Sequence, residues 1–335
     1  MGALTLLAQG RFQRSTMATM QRLHLAPAAA LAILLALPAV AMAHGAVVPV
    51  PTFPGVLFDW RFDPLVIGGL VATGAAYLAL ARSVAAAHPG NPPRRWRTAA
   101  FLGGLGAIAV ALLSPIEAYE GVLFSVHMVQ HLLLELVAAP LLLLGAPVTL
   151  VLRASSPAWR RRLLRVLHSV PMRIVSFPLL AWLIFAAVNW GWHFSSLYDD
   201  ALENVALHYV QHASFVGAAL LFWWPVIGAD PSPWRLPRPA RLFYLFLAMP
   251  QNSFLGVALM NAGAVLYPHY LTNLRAWGPS PLDDQALGGI LMWVGGDVAF
   301  LIGMGLVVAM WVREEDRRTA RLDARLDAQA RARGS

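Results

Sequence analysis

Seven apolar runs, near 62–82, 98–114, 121–144, 174–195, 204–226, 241–262 and 286–312, each approach the length a helix needs to cross a lipid bilayer. Backbone amides in hydrocarbon can bond only to one another, so bilayer-spanning chains are helix bundles or closed barrels. Continuous apolar runs of this length are helices rather than the short alternating strands of a barrel. The fold class expected is therefore all-α: a polytopic membrane bundle of seven transmembrane helices, with membrane lipid as its first partner. Composition agrees, since 58% of the 335 residues are hydrophobic and only 13% charged, too little charge to cover a soluble domain of this size.

The ends divide the chain further. Arg11, Arg14 and Arg22, then an apolar run over 25–40, then Ala41-Met42-Ala43, form the pattern of a cleavable export signal, so 1–43 is expected to be a leader. Cleavage there would leave 44–61 as an extracytoplasmic segment and His44 at the terminus, where its α-amine and imidazole form a chelating pair. The seven-helix domain then occupies 62–312, and 313–335 is a charged cytoplasmic tail. Loop charges test this orientation. Arg82, Arg94, Arg95, Arg97, Arg153, Arg160, Arg161, Arg162, Arg165, Arg173, Arg235, Arg238 and Arg241 fall on the side assigned inside. Asp59, Asp63, Glu117, Glu120, Asp199, Asp200, Glu203, Asp283 and Asp284 fall outside, with Arg61 and Arg275 the basic exceptions there, which is the positive-inside pattern. The net charge of +8 thus reflects topology, and no nucleic-acid partner is expected.

Within this apolar chain the costly residues are the informative ones. Two segments repeat His-x-Val-Gln-His: His127, Gln130 and His131, then His208, Gln211 and His212 at a spacing of 81 residues. Histidines four apart share one face of a helix. Both segments run inward from the outer side, so the first histidine of each pair lies about 6 Å deep and the second about 12 Å. His193 closes the fourth run at the same outer face. A single intramembrane histidine commonly serves packing, but two matched pairs at equal depth point to a metal. With no cysteine in the chain, thiolate sites and disulfides are excluded. Imidazole accepts copper, zinc, iron or nickel, and a haem held between two helices is a rival arrangement. No glutamate follows His127 or His208, so a zinc hydrolase motif is absent and no enzyme is expected.

Other polar residues take secondary places. Gln130 and Gln211 either orient imidazoles or bond between helices. Glu135 continues the first stripe inward, as a proton relay or the partner of a polar group. Asp297, about 15 Å deep, is a ligand, a partner to a histidine N–H or a packing acceptor. Met128, Met260 and Met292 lie toward the outer side, where thioethers would suit Cu(I), although methionine is common core filler. The glycine pairs at 68–69, 103–104, 288–289 and 295–296 are expected to permit close helix packing.

The block His127-Met128-Val129-Gln130-His131, the Trp192-His193 pair, the His208 and His212 pair, and the segment from Asp284-Gln285 through Met292-Trp293 together resemble the CtaG-type cytochrome c oxidase assembly factors, over roughly 55–312. The resemblance implies a multi-pass protein of the bacterial cytoplasmic (inner) membrane that assists maturation of a haem-copper oxidase. It makes His127, His131, His208 and His212 the candidate copper ligands and an oxidase subunit the partner. A copper transporter or resistance protein, and a haem-binding redox protein, are the alternatives.

Overall fold

The computed structural model describes residues 50–272 and 275–334. The expected leader over 1–43 and His44 lie outside the described residues. All regular structure among the described residues is helical, as the apolar runs require. After a 3-10 turn at Gly55–Phe58 come α1 (Pro64–Ala87), α2 (Arg95–Leu113) and α3 (residues 124–144), then α4 (Pro178–His193) and α5 (Val205–Ile227). The bundle closes with α6 (Arg238–Met260) and α7 (residues 281–334), and short helices fill the connections. Proline in the first turn marks the starts of α1, α4, α6 and α7, where a missing N–H costs nothing. Asp63 caps α1 through the amides of Leu65 and Val66.

Six of these helices are long and apolar enough to cross a membrane. The exception is α4, expected over 174–195 but only 16 residues long, about 24 Å against a hydrocarbon core of about 30 Å. Its ends are set by Pro178 and by the loop after His193. Over 313–334, the expected charged tail, α7 continues as a helix, and Arg238 of α6 pairs with Glu314.

Close packing comes from only some of the glycines. A Cβ on Gly289 of α7 would lie 2.5 Å from the Gly256 carbonyl oxygen of α6, and one on Gly288 would lie 2.3 Å from the Phe124 ring of α3. Gly104 likewise faces Leu142 at 2.8 Å. The pair at 68–69 faces open space and serves no such contact. Most of the deep core lies between α3, α5, α6 and α7, around Phe222, Trp223, Leu245 and Phe300. A second, aromatic cluster of Phe124, Tyr198, Tyr267 and Tyr270 lies beside the starts of α3 and α7.

Both α3 and α7 are interrupted by a π-turn, at Leu133–Ala138 and Leu291–Gly295. Each receives a side-chain donor from a neighbouring helix. Trp223 Nε1 donates to the Glu135 carbonyl at 3.0 Å, and Asn252 Nδ2 to the Met292 carbonyl at 2.8 Å.

Candidate metal centre

The first turns of α3 and α5 set the height of the histidines. The Asp284 carboxylate of α7 accepts from the Phe124 amide at 2.7 Å and from Ser125 Oγ at 2.5 Å, so α7 fixes where α3 begins. Asn204 caps α5 by accepting from the amides of Ala206 and Leu207. His127 and His208 are each the fourth residue of their helices, and the helices run the same way, so the pairs stand level. The oppositely directed α4 ends on His193, which arrives at the height of His131.

Five imidazoles therefore meet. Ring centres are 4.3 Å apart for His127 and His131, 4.2 Å for His208 and His212, and 5.5 Å for His127 and His208. His131 lies 6.0 Å from His193 and 6.1 Å from His212. All but His208 are buried. Donor atoms of His127, His208 and His212 fall within 4.8 Å of one another, close enough to share one ion. Glu117, Glu120 and His208 form a second such group on the loop side of the first.

The partners of three rings fix their tautomers, because a carbonyl or carboxylate oxygen can only accept. His127 Nδ1 lies 3.0 Å from Glu120 Oε2. Burial works against the Glu120 charge, but His208 and His127 outweigh it and hold the carboxyl at about 2. The hydrogen bond at Nδ1 is the one with Tyr270, which makes Nδ1 the donor and leaves Nε2 as the open lone pair. Tyr270 Oη, 3.3 Å from the same Nδ1, gives its own hydrogen to the Glu120 carbonyl and so can accept as well. Gln130 Nε2 donates to the Ala111 carbonyl at 3.0 Å and to Glu117 at 2.6 Å. That orientation turns Gln130 Oε1 toward His212 Nε2 at 3.0 Å, so Nε2 carries the hydrogen and Nδ1 is open. His193 Nδ1 donates to the Asn189 carbonyl at 2.7 Å, leaving Nε2 open. Metal-binding histidines are oriented in this way, with one nitrogen tied down and the other aimed at the ion.

Several nitrogens have no hydrogen-bond partner: His127 Nε2, both nitrogens of His131, His193 Nε2 and His208 Nε2 are buried without one, although His208 Nε2 lies 3.9 Å from Glu120 Oε2. Leaving a polar atom so costs about 1–3 kcal/mol each. A metal ion would satisfy several of these nitrogens at once.

The remaining candidates divide. Gln130 acts directly on His212. Both polar atoms of the Gln211 side chain are buried without a partner, and no contact ties it to the imidazoles. Glu135 accepts from Asn189 Nδ2 at 3.0 Å, which links it to the residue holding His193. Asp297 accepts from Ser253 Oγ at 2.8 Å, away from the rings. Met128 and Met292 pack into the aromatic cluster, as core methionines do. His269 serves the architecture: its amide donates to Asp199 and its Nε2 to the Gly121 carbonyl. Glu117, Glu120, Tyr270 and Asn189 were not anticipated at the centre. Spacing could have found one of them, since Asn189 precedes His193 by four residues on the same helix, about one turn.

Residues 75–314 match the family described as cytochrome c oxidase caa3 assembly factor. The chain is 33% identical over 290 residues to uncharacterized proteins of Mycobacterium bovis and Mycobacterium tuberculosis, and 31% identical over 277 residues to one of Mycobacterium leprae. These alignments cover 80–83% of this chain but only 42–43% of the relatives, so the chain spans under half the length of those proteins. No solved structure matches it significantly.

Proposed function

Because this chain belongs to the cytochrome c oxidase caa3 assembly factor family, we propose that it binds copper through its histidine cluster on the outer side of a bacterial inner membrane and passes the ion to an oxidase subunit. The carrying observation is the set of buried imidazoles whose hydrogen-bonded partners leave open lone pairs directed from several helices. Such preorganisation favours metal binding. It offers no activated nucleophile, so the reading is non-catalytic. Copper suits a donor set of imidazoles without thiolates. Packing favours an ion over haem, because Phe215 lies 4.3 Å from the His131 ring and Tyr198 lies 5.1 Å from that of His127, where a macrocycle would have to sit.

Seven crossings remain the topology of this reading, with α4 as the short one. Two contacts support it. Trp234, in the connection before α6, donates to the Arg173 carbonyl just ahead of α4, while Tyr267 on the histidine-bearing side donates to the His193 carbonyl at its end. Glu117 and Glu120, beside His208, would meet the ion first, and transfer would proceed by stepwise exchange of ligands.

The test is elemental analysis of detergent-purified protein, wild type against His127→Ala/His208→Ala, together with oxidase activity and total cellular copper in strains carrying each. The reading expects copper in the wild type, its loss from the variant, and lost oxidase activity with cellular copper unchanged. Equal copper in both proteins would refute the site. A change in cellular copper with oxidase intact would favour transport.

A further inference from the structure

The five histidines do not form one shell, and from their spacing we infer that the centre holds two ions: one at His127, His208 and His212, and a deeper, two-coordinate monovalent ion between His131 and His193. This inference rests on the copper-binding reading above and goes beyond it in number, coordination and charge.

His131 is separate from the upper group, whose three donor atoms lie together without it. Its ring stands between that group and His193, and neither of its nitrogens has a protein partner. A neutral imidazole carries one hydrogen and one lone pair, so His131 can present a lone pair toward His193. The opposing His193 is already set, because its Nδ1–H is held by the Asn189 carbonyl and its open nitrogen is Nε2. Asn189 is itself anchored to Glu135 and to the Phe185 carbonyl, so the ring has little freedom to turn.

The distance fits an ion between the two. Two metal–nitrogen bonds of about 2 Å place the donor nitrogens about 4 Å apart, and about 1 Å more at each end to the ring centres gives about 6 Å. The ring centres are 6.0 Å apart. The rings are nearly perpendicular, at 89°, which a two-coordinate ion permits because rotation about a linear nitrogen–metal–nitrogen axis changes no bond.

The surroundings select the charge. The Phe215 ring lies tilted 4.3 Å from that of His131 and 6.2 Å from that of His193, and Tyr198 flanks both rings. Glu117 and Glu120 group with His208 on the loop side, and the Glu135 carboxyl, four residues after His131, is engaged by Asn189. A divalent ion in this aromatic enclosure would need further ligands and a counter-charge, whereas a monovalent d10 ion is content with two imidazoles. The upper position, with carboxylates beside three imidazoles, can take either kind. His131, 4.3 Å from His127, would then be the step by which a monovalent ion passes between positions.

Full-length protein in detergent, titrated without oxygen with Cu(I) or with Zn(II) and freed of excess by gel filtration, should carry two Cu(I) but one Zn(II) per chain. His131→Ala/His193→Ala should carry one of each, its retained zinc showing that the upper position and the fold survive. His208→Ala/His212→Ala loaded with Cu(I) should show two nitrogen neighbours by X-ray absorption. His193→Met, which keeps a soft donor, should keep two Cu(I) and show a sulfur neighbour, and this decides the matter if the double alanine variant fails to fold. One Cu(I) in the wild type, two in His131→Ala/His193→Ala, or no sulfur signal in His193→Met would overturn the lower position. A wild type that binds neither ion defeats the copper-binding reading as well.

Discussion

Gln130→Leu isolates the orientation of a ligand from the ligand itself. Gln130 is fully buried and makes three contacts at once, accepting from His212 Nε2 and donating to Glu117 and to the Ala111 carbonyl. Leucine fills a similar volume, so no cavity contributes to the outcome. Without the acceptor, the His212 hydrogen is no longer held on Nε2, and the open lone pair on Nδ1 must be selected at the moment of binding. Loss of such a partner costs about 10–100-fold in metal affinity, equivalent to about 1.4–2.7 kcal/mol. Stability also falls, because the Ala111 carbonyl is left buried and unpaired at about 1–3 kcal/mol. Competition between the purified protein and a chromophoric Cu(I) chelator measures the first effect, and thermal unfolding followed by circular dichroism measures the second. Gln130→Glu separates them: an ionised glutamate can still accept from His212 but cannot donate to the Ala111 carbonyl, so it should lose stability while keeping more affinity than leucine. Copper affinity in folded Gln130→Leu within twofold of wild type would refute the assignment of the His212 tautomer.

Asp284→Ala removes the acceptor of the Phe124 amide and of Ser125 Oγ, and should destabilise the protein by at least about 2 kcal/mol in thermal or detergent unfolding, since hydrogen bonds to charged groups contribute about 1.5–3 kcal/mol. Gly289→Val forces apart helices whose backbones touch at Gly256, and should lower yield and stability by about 1–3 kcal/mol or more, whereas Gly68→Val, facing open space, should be neutral in the same unfolding assay. Glu120→Gln carries a pH signature. Its folded carboxyl lies at about 2, below the ordinary value of 4.5, so its ionic contribution is complete above about pH 4.5 and is lost as pH falls toward 2. The stability gap between wild type and Glu120→Gln should therefore be open just above pH 4.5 and close as pH falls toward 2 in acid unfolding experiments.

What could be read in advance followed from periodicity and length. The apolar runs located the long helices to within about five residues, except at the far end of α7, because bilayer thickness imposes a length, and the i, i+4 histidines located their shared face because the α-helical period imposes it. The short α4 was harder, since proline at 178 and an early loop after His193 trim an apolar run that hydropathy alone extends. Glu117 and Glu120 were visible only as markers of sidedness. Their place at the centre depends on the turn between Pro115–Tyr119 and α3, which a periodicity argument passes over. The methionines were ambiguous for the opposite reason: their spacing suits either role, and contacts alone put Met128 and Met292 among aromatic rings.

The π-turn in α3 explains how one helix serves both the cluster and its support. His127 and His131 precede it in regular α geometry, which keeps the two rings on one face. Widening the helix at Leu133–Ala138 shifts the register below them and loosens the hydrogen-bond ladder there. The Glu135 carbonyl is then reached by the Trp223 indole of α5, while its carboxyl is turned to Asn189 of α4. One residue thereby ties together the three helices that carry the histidines. The consequence is directional: Glu135→Gln keeps an amide oxygen for Asn189 and leaves the Trp223 contact on the backbone untouched, whereas Glu135→Leu releases Asn189 and with it the fixed orientation of His193. If Glu135 positions rather than binds, Glu135→Gln should retain copper stoichiometry and Glu135→Leu should lose the ion that depends on His193. Equal loss in both would mean that the carboxylate charge, not the hydrogen bond, is what the centre requires.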